Sequence, residues 1–282
     1  MEREKLQSDL ISSQAVFKAS VEAKLRGIAA GSQMDNFLRC GVEEIFCTCT
    51  GCGRAEKFFY NCNRKWCPLC SQRLSLRRAQ VIKAWATRIT QPKHLVLTMR
   101  NFPIFTRKKL REFTTALRHF RKHNSWSQVK GGCCSVEITN EGNGWHLHAH
   151  LLLDVKWLDM SAISVEWGKL VGQQFGIVKI KDVRKTNYVQ EVSKYCVKGS
   201  ELAGWPGEHI WEFICAIKGS RLFFPFGTLR KQMKEIRREL RAAAGEGKVC
   251  KCGCAKFLYQ TEADVILDEI RAATGGRRRG RR

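Results

Sequence analysis

The sequence predicts an α+β fold built around a central antiparallel sheet, and three observations carry that prediction. Strand-like and helix-like segments are mixed along the chain, two strands flank a turn-rich NEGNG near its middle, and a dense cysteine cluster precedes them. The boundaries this implies are a helical segment over 1–40, a zinc-binding module over 41–75, a main domain over 76–235, and a basic helix and tail over 236–282 that carries CKCGC.

The elements follow from periodicity. Ala15 to Leu25 favours helix, and SLRRAQVIKAWATRI from Ser75 to Ile89 has apolar residues at helical spacing with Arg77, Arg78 and Lys83 outside. KHLVLT from Lys93 to Thr98 is apolar and β-prone, and Thr106 to Lys122 reads as a basic helix. Cys133–Thr139 and His146–Leu153 form the expected hairpin. A helix follows over Ser161–Phe175, then a strand over Ile177–Val183 and a helix over Asn187–Lys198. Trp211–Ile217 is helical or extended, and Leu229–Ala244 is a charged helix. The closing GGRRRGRR has too little apolar surface to fold alone.

Charge narrows the function. Lysine and arginine number 50 against 26 acidic residues, a net charge of +24. Such an excess repels itself and favours a polyanionic partner, and nucleic acid is the foremost candidate. No apolar run approaches the ~20 residues of a spanning helix, so no membrane is expected. MEREKLQSDL lacks the apolar core of a secretory leader, so a cytoplasmic location with reduced thiols is expected.

Reduced thiols at short spacing point to metal. Six of the 14 cysteines lie between Cys47 and Cys70, and CTGC with CPLC gives CxxC-x14-CxxC. Cys49, Cys52, Cys67 and Cys70 are the expected ligands of one structural Zn2+, with Cys47 or Cys62 able to replace one of them. Cys250, Cys252 and Cys254 are either part of a second metal site or an exposed tail element. Cys40, Cys133, Cys134, Cys196 and Cys215 read as small buried hydrophobes.

The segment WHLHAHLLL carries the chemistry. Alternate strand residues share a face, so His146, His148 and His150 project together at about 7 Å per two residues, while Leu147, Ala149 and Leu151 face a core. Two imidazoles need a further ligand, and Glu137, across the NEGNG turn, pairs near His148 or His150. A carboxylate beside two imidazoles suits Mg2+ or Mn2+; His146 is a further possibility. In NYVQEVSKYCVK, Glu191 and Tyr195 are spaced i, i+4 and share a helix face with Tyr188, flanked by Lys194 and Lys198. Basic stretches at Arg107, Lys108 and Lys109 and at Arg118 and Arg121, interleaved with Phe113, Phe120 and Trp126, could line a channel for single-stranded DNA.

These segments resemble the rolling-circle replication initiators of plasmids and single-stranded phages, within the HUH endonuclease superfamily. HLVLTMRNFP is similar to the family's opening strand. VEITNEGNGWHLHAHLLL resembles its metal-binding hairpin, and EVSKYCVK its nucleophile helix. The resemblance covers about Cys47 to Lys231. It implies a five-stranded antiparallel sheet with His148 and His150 on a central strand. It also implies attack by Tyr195 on an origin DNA phosphate, leaving a 5′-phosphotyrosine and a free 3′-hydroxyl for a host polymerase. It further implies that Glu191 activates water in the terminating step. No Gly-rich phosphate loop is found, so a host helicase is an inferred partner. A rolling-circle transposase would share the chemistry but usually needs a longer chain. A non-catalytic zinc-ribbon DNA-binding protein would leave the alternating histidines without a use.

Overall fold

The hairpin is the middle of the larger sheet. β4 (Gly131–Asn140) and β5 (Trp145–Asp154) pair antiparallel from Gly131↔Asp154 to Asn140↔Trp145. β3 (Pro92–Thr98) lies on the other side of β5, β6 (Ile177–Asp182) beyond it, and β7 (Phe223–Phe226) beside β4. The order is β6-β3-β5-β4-β7, a five-stranded antiparallel sheet. This computed structural model describes residues 16–28, 32–183, 189, 192, 199–243, 250, 252–254 and 256–261. It divides into two units, 1–30 with 64–240 and 31–63 with 241–282.

In the larger unit each face of the sheet meets helices. α1 spans 16–25, and α3 (Pro68–Ala86) begins at a proline, which the first helical turn tolerates because its N–H would be unpaired there anyway. α4 (Arg107–Phe120) is capped by Thr106, whose Oγ1 accepts Lys109 N–H at 3.2 Å. α5 (Met160–Leu170) is capped by Asp159, whose carboxylate accepts Ser161 and Ala162 N–H. Phe113 and Phe120 of α4 meet Trp167 of α5 edge-on. α7 (Gly207–Ile217) brings Phe213 to Trp145, and Trp205, just after α6 (Gly199–Gly204), meets both rings. The expected core face of β5 is therefore present: Leu147, Ala149 and Leu151 are buried. Each such leucine contributes about 1.5–3 kcal/mol. On the opposite face, Cys133 and Leu152 pack with Val81, Ile82 and Trp85 of α3 and with Leu229 and Ile236 of α8 (Gly227–Ala243).

The smaller unit holds α2 (Ser32–Arg39), β1 (Glu44–Cys49), β2 (Ala55–Phe59) and β8 (Phe257–Thr261). Its sheet order is β2-β1-β8, all antiparallel. The cysteine segment was expected to be one module over 41–75. Residues 41–63 of that segment lie in this unit, and the segment from 241 onward joins them because β8 pairs with β1.

Two expectations for individual residues are corrected. Phe113, Phe120 and Trp126 are 1%, 0% and 7% exposed, so they are core and offer no stacking surface to bases. The cause is the amphipathic period of α4, which turns Leu110, Phe113, Leu117 and Phe120 inward together. Cys133 and Cys134 are buried as expected; Cys40 is buried too, but its sulfur accepts from Cys62 N–H; Cys215 is exposed on α7, and Cys196 lies outside the described residues. Among the described residues no helix is long and apolar enough to cross a membrane.

Candidate metal centre and DNA-facing surface

Strand register collects the site. Directly paired residues share a face, so Thr98, His148 and Glu137 form one row across β3, β5 and β4, and Val96, His150 and Ser135 the next. Thr139 and His146 form the row toward the turn, and His94, Leu152 and Cys133 the row away from it. The three histidines thus project together as the alternation requires, with ring centroids 4.0 Å apart for His146–His148 and 6.1 Å for His148–His150.

Hydrogen bonds orient the rings. His148 Nδ1 lies 3.1 Å from Thr98 Oγ1, which leaves Nε2 as its ligating nitrogen. His150 Nε2 lies 2.8 Å from Glu137 Oε2, and its Nδ1 3.3 Å from His94 Nε2. With the carboxylate ionised, His150 Nε2–H donates to Glu137 and Nδ1 accepts from His94 Nε2–H. His94 also stacks on His150 at 5.5 Å, and both are buried. Beneath the row, Trp167 Nε1–H donates to Thr98 O at 2.8 Å and pins β3.

Burial keeps the His146 and His148 rings neutral. His148 is pushed down to about 4, first by desolvation and then by the neighbouring His146. Desolvation also lowers His146. A neutral imidazole is the ligating form, so the site is prepared for a cation across the neutral range. Two imidazole nitrogens and a carboxylate oxygen on one face fit Mg2+ or Mn2+. Glu137 is turned to His150, and a cation there would take the place of the proton the two share. Among the described residues His148, His150 and Glu137 do not all converge within 4.8 Å, whereas two groups of four cysteines do.

Two residues on this face escaped the sequence reading. His94 lies on the opening strand at the same period as Val96 and Thr98, a signal that becomes useful only once the register is known. Lys179 of β6 pairs opposite Val96, is exposed, and acts electrostatically on His148. Tyr188, Glu191, Lys194, Tyr195 and Lys198 lie outside the described residues. Val189 and Val192, from the same segment, are helical and pack with Cys133 and Leu152 on the histidine face.

The basic residues of α4 point away from the core. Arg107, Lys108 and Arg118 are exposed, Lys109 pairs with Glu112 at 3.0 Å, and the Arg121 guanidinium lies 4.2 Å over the Phe226 ring. Arg107 and Arg111 line a hollow of about 300 Å³ with Lys218 and Arg221, and Arg107 donates to Lys218 O.

The thiols group differently from the expectation. Cys49 and Cys52 converge with Cys250 and Cys252 of their own unit, all four sulfurs within 4.8 Å of one another. A cysteine group of this kind could hold zinc. Cys67 and Cys70 open α3 in the larger unit, both buried and both engaged in contacts. Spacing along the chain could not show this, because β8 brings Cys250 and Cys252 back to β1 from about 200 residues away. Cys47 is buried on β1 opposite Tyr259, and Cys62 N–H donates to Cys40 Sγ at 3.4 Å.

Comparison with known proteins adds one match. A family model described as Replication protein (Rep_1) matches residues 57–247. No curated protein and no solved structure matches the chain.

Proposed function

Because the chain belongs to this family of replication proteins, the plasmid rolling-circle initiators, we propose that it is the enzyme that nicks single-stranded origin DNA through Tyr195. One observation carries the reading. His148, His150 and Glu137 share one sheet face, and Val189 and Val192 of the tyrosine segment pack against that same face. In sequence Tyr195 follows Val192 by three residues, and Glu191 precedes Tyr195 at the i, i+4 spacing that one helix turn would bring to one face.

In this reading Tyr195 Oη attacks the phosphorus. The P–O3′ bond breaks, the 3′-oxygen leaves and gains a proton, and the phenolic proton passes to solvent. The 5′ end stays on the enzyme as a phosphotyrosine, and the free 3′-hydroxyl primes a host polymerase. A host helicase separates the strands. Polarisation of the scissile phosphate is the chemistry that bound Mg2+ or Mn2+ would supply, with His148, His150 and Glu137 as its ligands and His146 beside them. Thr98 and His94 hold the two imidazoles in the ligating orientation. Lys198 and Lys179 offset phosphate charge. Glu191 activates the water or hydroxyl that resolves the covalent link at termination. Arg107, Lys108, Lys109, Arg118, Arg121 and Lys194 guide the strand by its phosphates. Cys67 and Cys70 belong to a structural zinc site. The work is done in the host cytoplasm.

The test is mass spectrometry of the adduct formed with a single-stranded origin oligonucleotide. The oligonucleotide should be linked to Tyr195, and Tyr195→Phe should give neither nick nor adduct. An adduct on Tyr188 from an active Tyr195→Phe protein overturns the assignment.

A further inference from the structure

The cysteines of the smaller unit have no part in the nicking chemistry. We propose that Cys49, Cys52, Cys250 and Cys252 bind one Zn2+ as a structural clasp that fastens β8 to the β1–β2 hairpin.

Two tight turns present the four sulfurs. The first follows β1: Gly53 N–H donates to Cys49 O at 2.9 Å, and Gly53 adopts φ +70°, which favours glycine. The second precedes β8: Gly253 N–H donates to Cys250 O at 2.8 Å with φ +87°, and Cys250 N–H donates to Cys254 O at 2.8 Å. The turns are held face to face, since Thr50 N–H donates to Lys256 O at 3.1 Å. They fit closely: a Cβ on Gly51 would stand 2.9 Å from Cys254 Cβ.

The sulfur spacing matches the ion. Cys49 Sγ and Cys252 Sγ are 3.6 Å apart, as are Cys52 Sγ and Cys250 Sγ. Zinc–sulfur bonds of about 2.3 Å in a tetrahedron give edges of roughly 3.8 Å. A disulfide needs about 2 Å, and all four cysteines are free thiols. Four thiolates fill the tetrahedron and leave no open position, so the site serves stability and not catalysis.

The small sheet also needs a fastening. Every residue of β2 is exposed, so little core holds that strand, and small units short of core depend on staples. Cys254 stands outside the set. Lys256 N–H donates to its sulfur at 3.4 Å, and Thr50 Oγ1 lies 3.7 Å from it.

The experiment compares zinc content per chain, by elemental mass spectrometry, in full-length reduced protein and its variants. Cys52→Ser, Cys252→Ser and the double variant should each hold one zinc fewer than wild type, and Cys254→Ser should hold as many. Cys252→His, which keeps a ligating atom, should retain the ion, with a shifted visible spectrum after Co2+ substitution; this separates ligation from misfolding. The proposal is overturned if the double variant keeps the full zinc content or loses two ions. It is likewise overturned if Cys254→Ser loses an ion that Cys252→Ser keeps, or if the purified ion is iron with its visible thiolate bands.

Discussion

Glu137→Gln isolates the charge at the proposed metal centre while preserving side-chain shape. In metal-free protein the amide oxygen can still accept from His150 Nε2–H, so a hydrogen bond remains and only its charge assistance goes. Bonds to charged groups are worth about 1.5–3 kcal/mol and neutral ones about 0.5–1.5. The two side chains are 10% and 13% exposed, so solvent screens the pair little. A stability loss of about 1 kcal/mol is therefore expected, read from urea melts in EDTA. Metal binding should suffer more. Removing a mere hydrogen-bond partner of a metal ligand costs about 10–100-fold in affinity, and an anionic ligand is worth at least that. Mn2+ titrations followed by calorimetry or electron paramagnetic resonance should show a loss of ten-fold or more, and nicking should recover only at high Mn2+. Mn2+ affinity within two-fold of wild type, alongside the 1 kcal/mol destabilisation, would refute the reasoning and leave Glu137 as no more than the partner of His150.

Three further outcomes are expected. In EDTA-treated protein the folded pKa of His148, about 4, lies below its unfolded value near 6.5. Its contribution to stability is thus present above about pH 6.5 and lost as pH falls toward 4. The ring is partly solvated, so the loss is discounted to about 1–2 kcal/mol; urea melts that depend on pH equally in wild type and His148→Asn would contradict this. Glu191→Gln should still nick and form the adduct but leave over-long replication products, and a variant that terminates like wild type removes the glutamate from that step. Deleting GGRRRGRR should weaken general DNA binding and flatten its salt dependence while sparing the nick site; an unchanged salt slope in filter-binding assays counts against the tail's role.

The legible parts of the fold share a physical cause. β5 was readable because over Trp145–His150 one face is apolar core and the other carries the histidines, so period two shows in WHLHAH, before Leu152 on the histidine face joins a second core. The hairpin followed from the turn residues of NEGNG, and Glu137 from its distance to that turn. The aromatics of α4 were misread by type: their helical spacing, shared with Leu110 and Leu117, already marked them as core. His94 and the Cys49–Cys252 neighbourhood were hidden for another reason. Both depend on which strands pair, and for β1 and β8 that pairing joins residues about 200 positions apart, a distance at which no local pattern operates.

The pairing of β1 with β8 has a consequence for how the protein is made. The larger sheet is complete in sequence once Phe226 has been synthesised, so it can begin to fold while the rest of the chain is still on the ribosome. The smaller sheet cannot. Its first two strands emerge early and must wait for Phe257–Thr261, displaying thiols and an unpaired strand edge throughout the interval. That edge is a ready template for a neighbouring nascent chain, which makes the last strand the step at which assembly either closes correctly or aggregates.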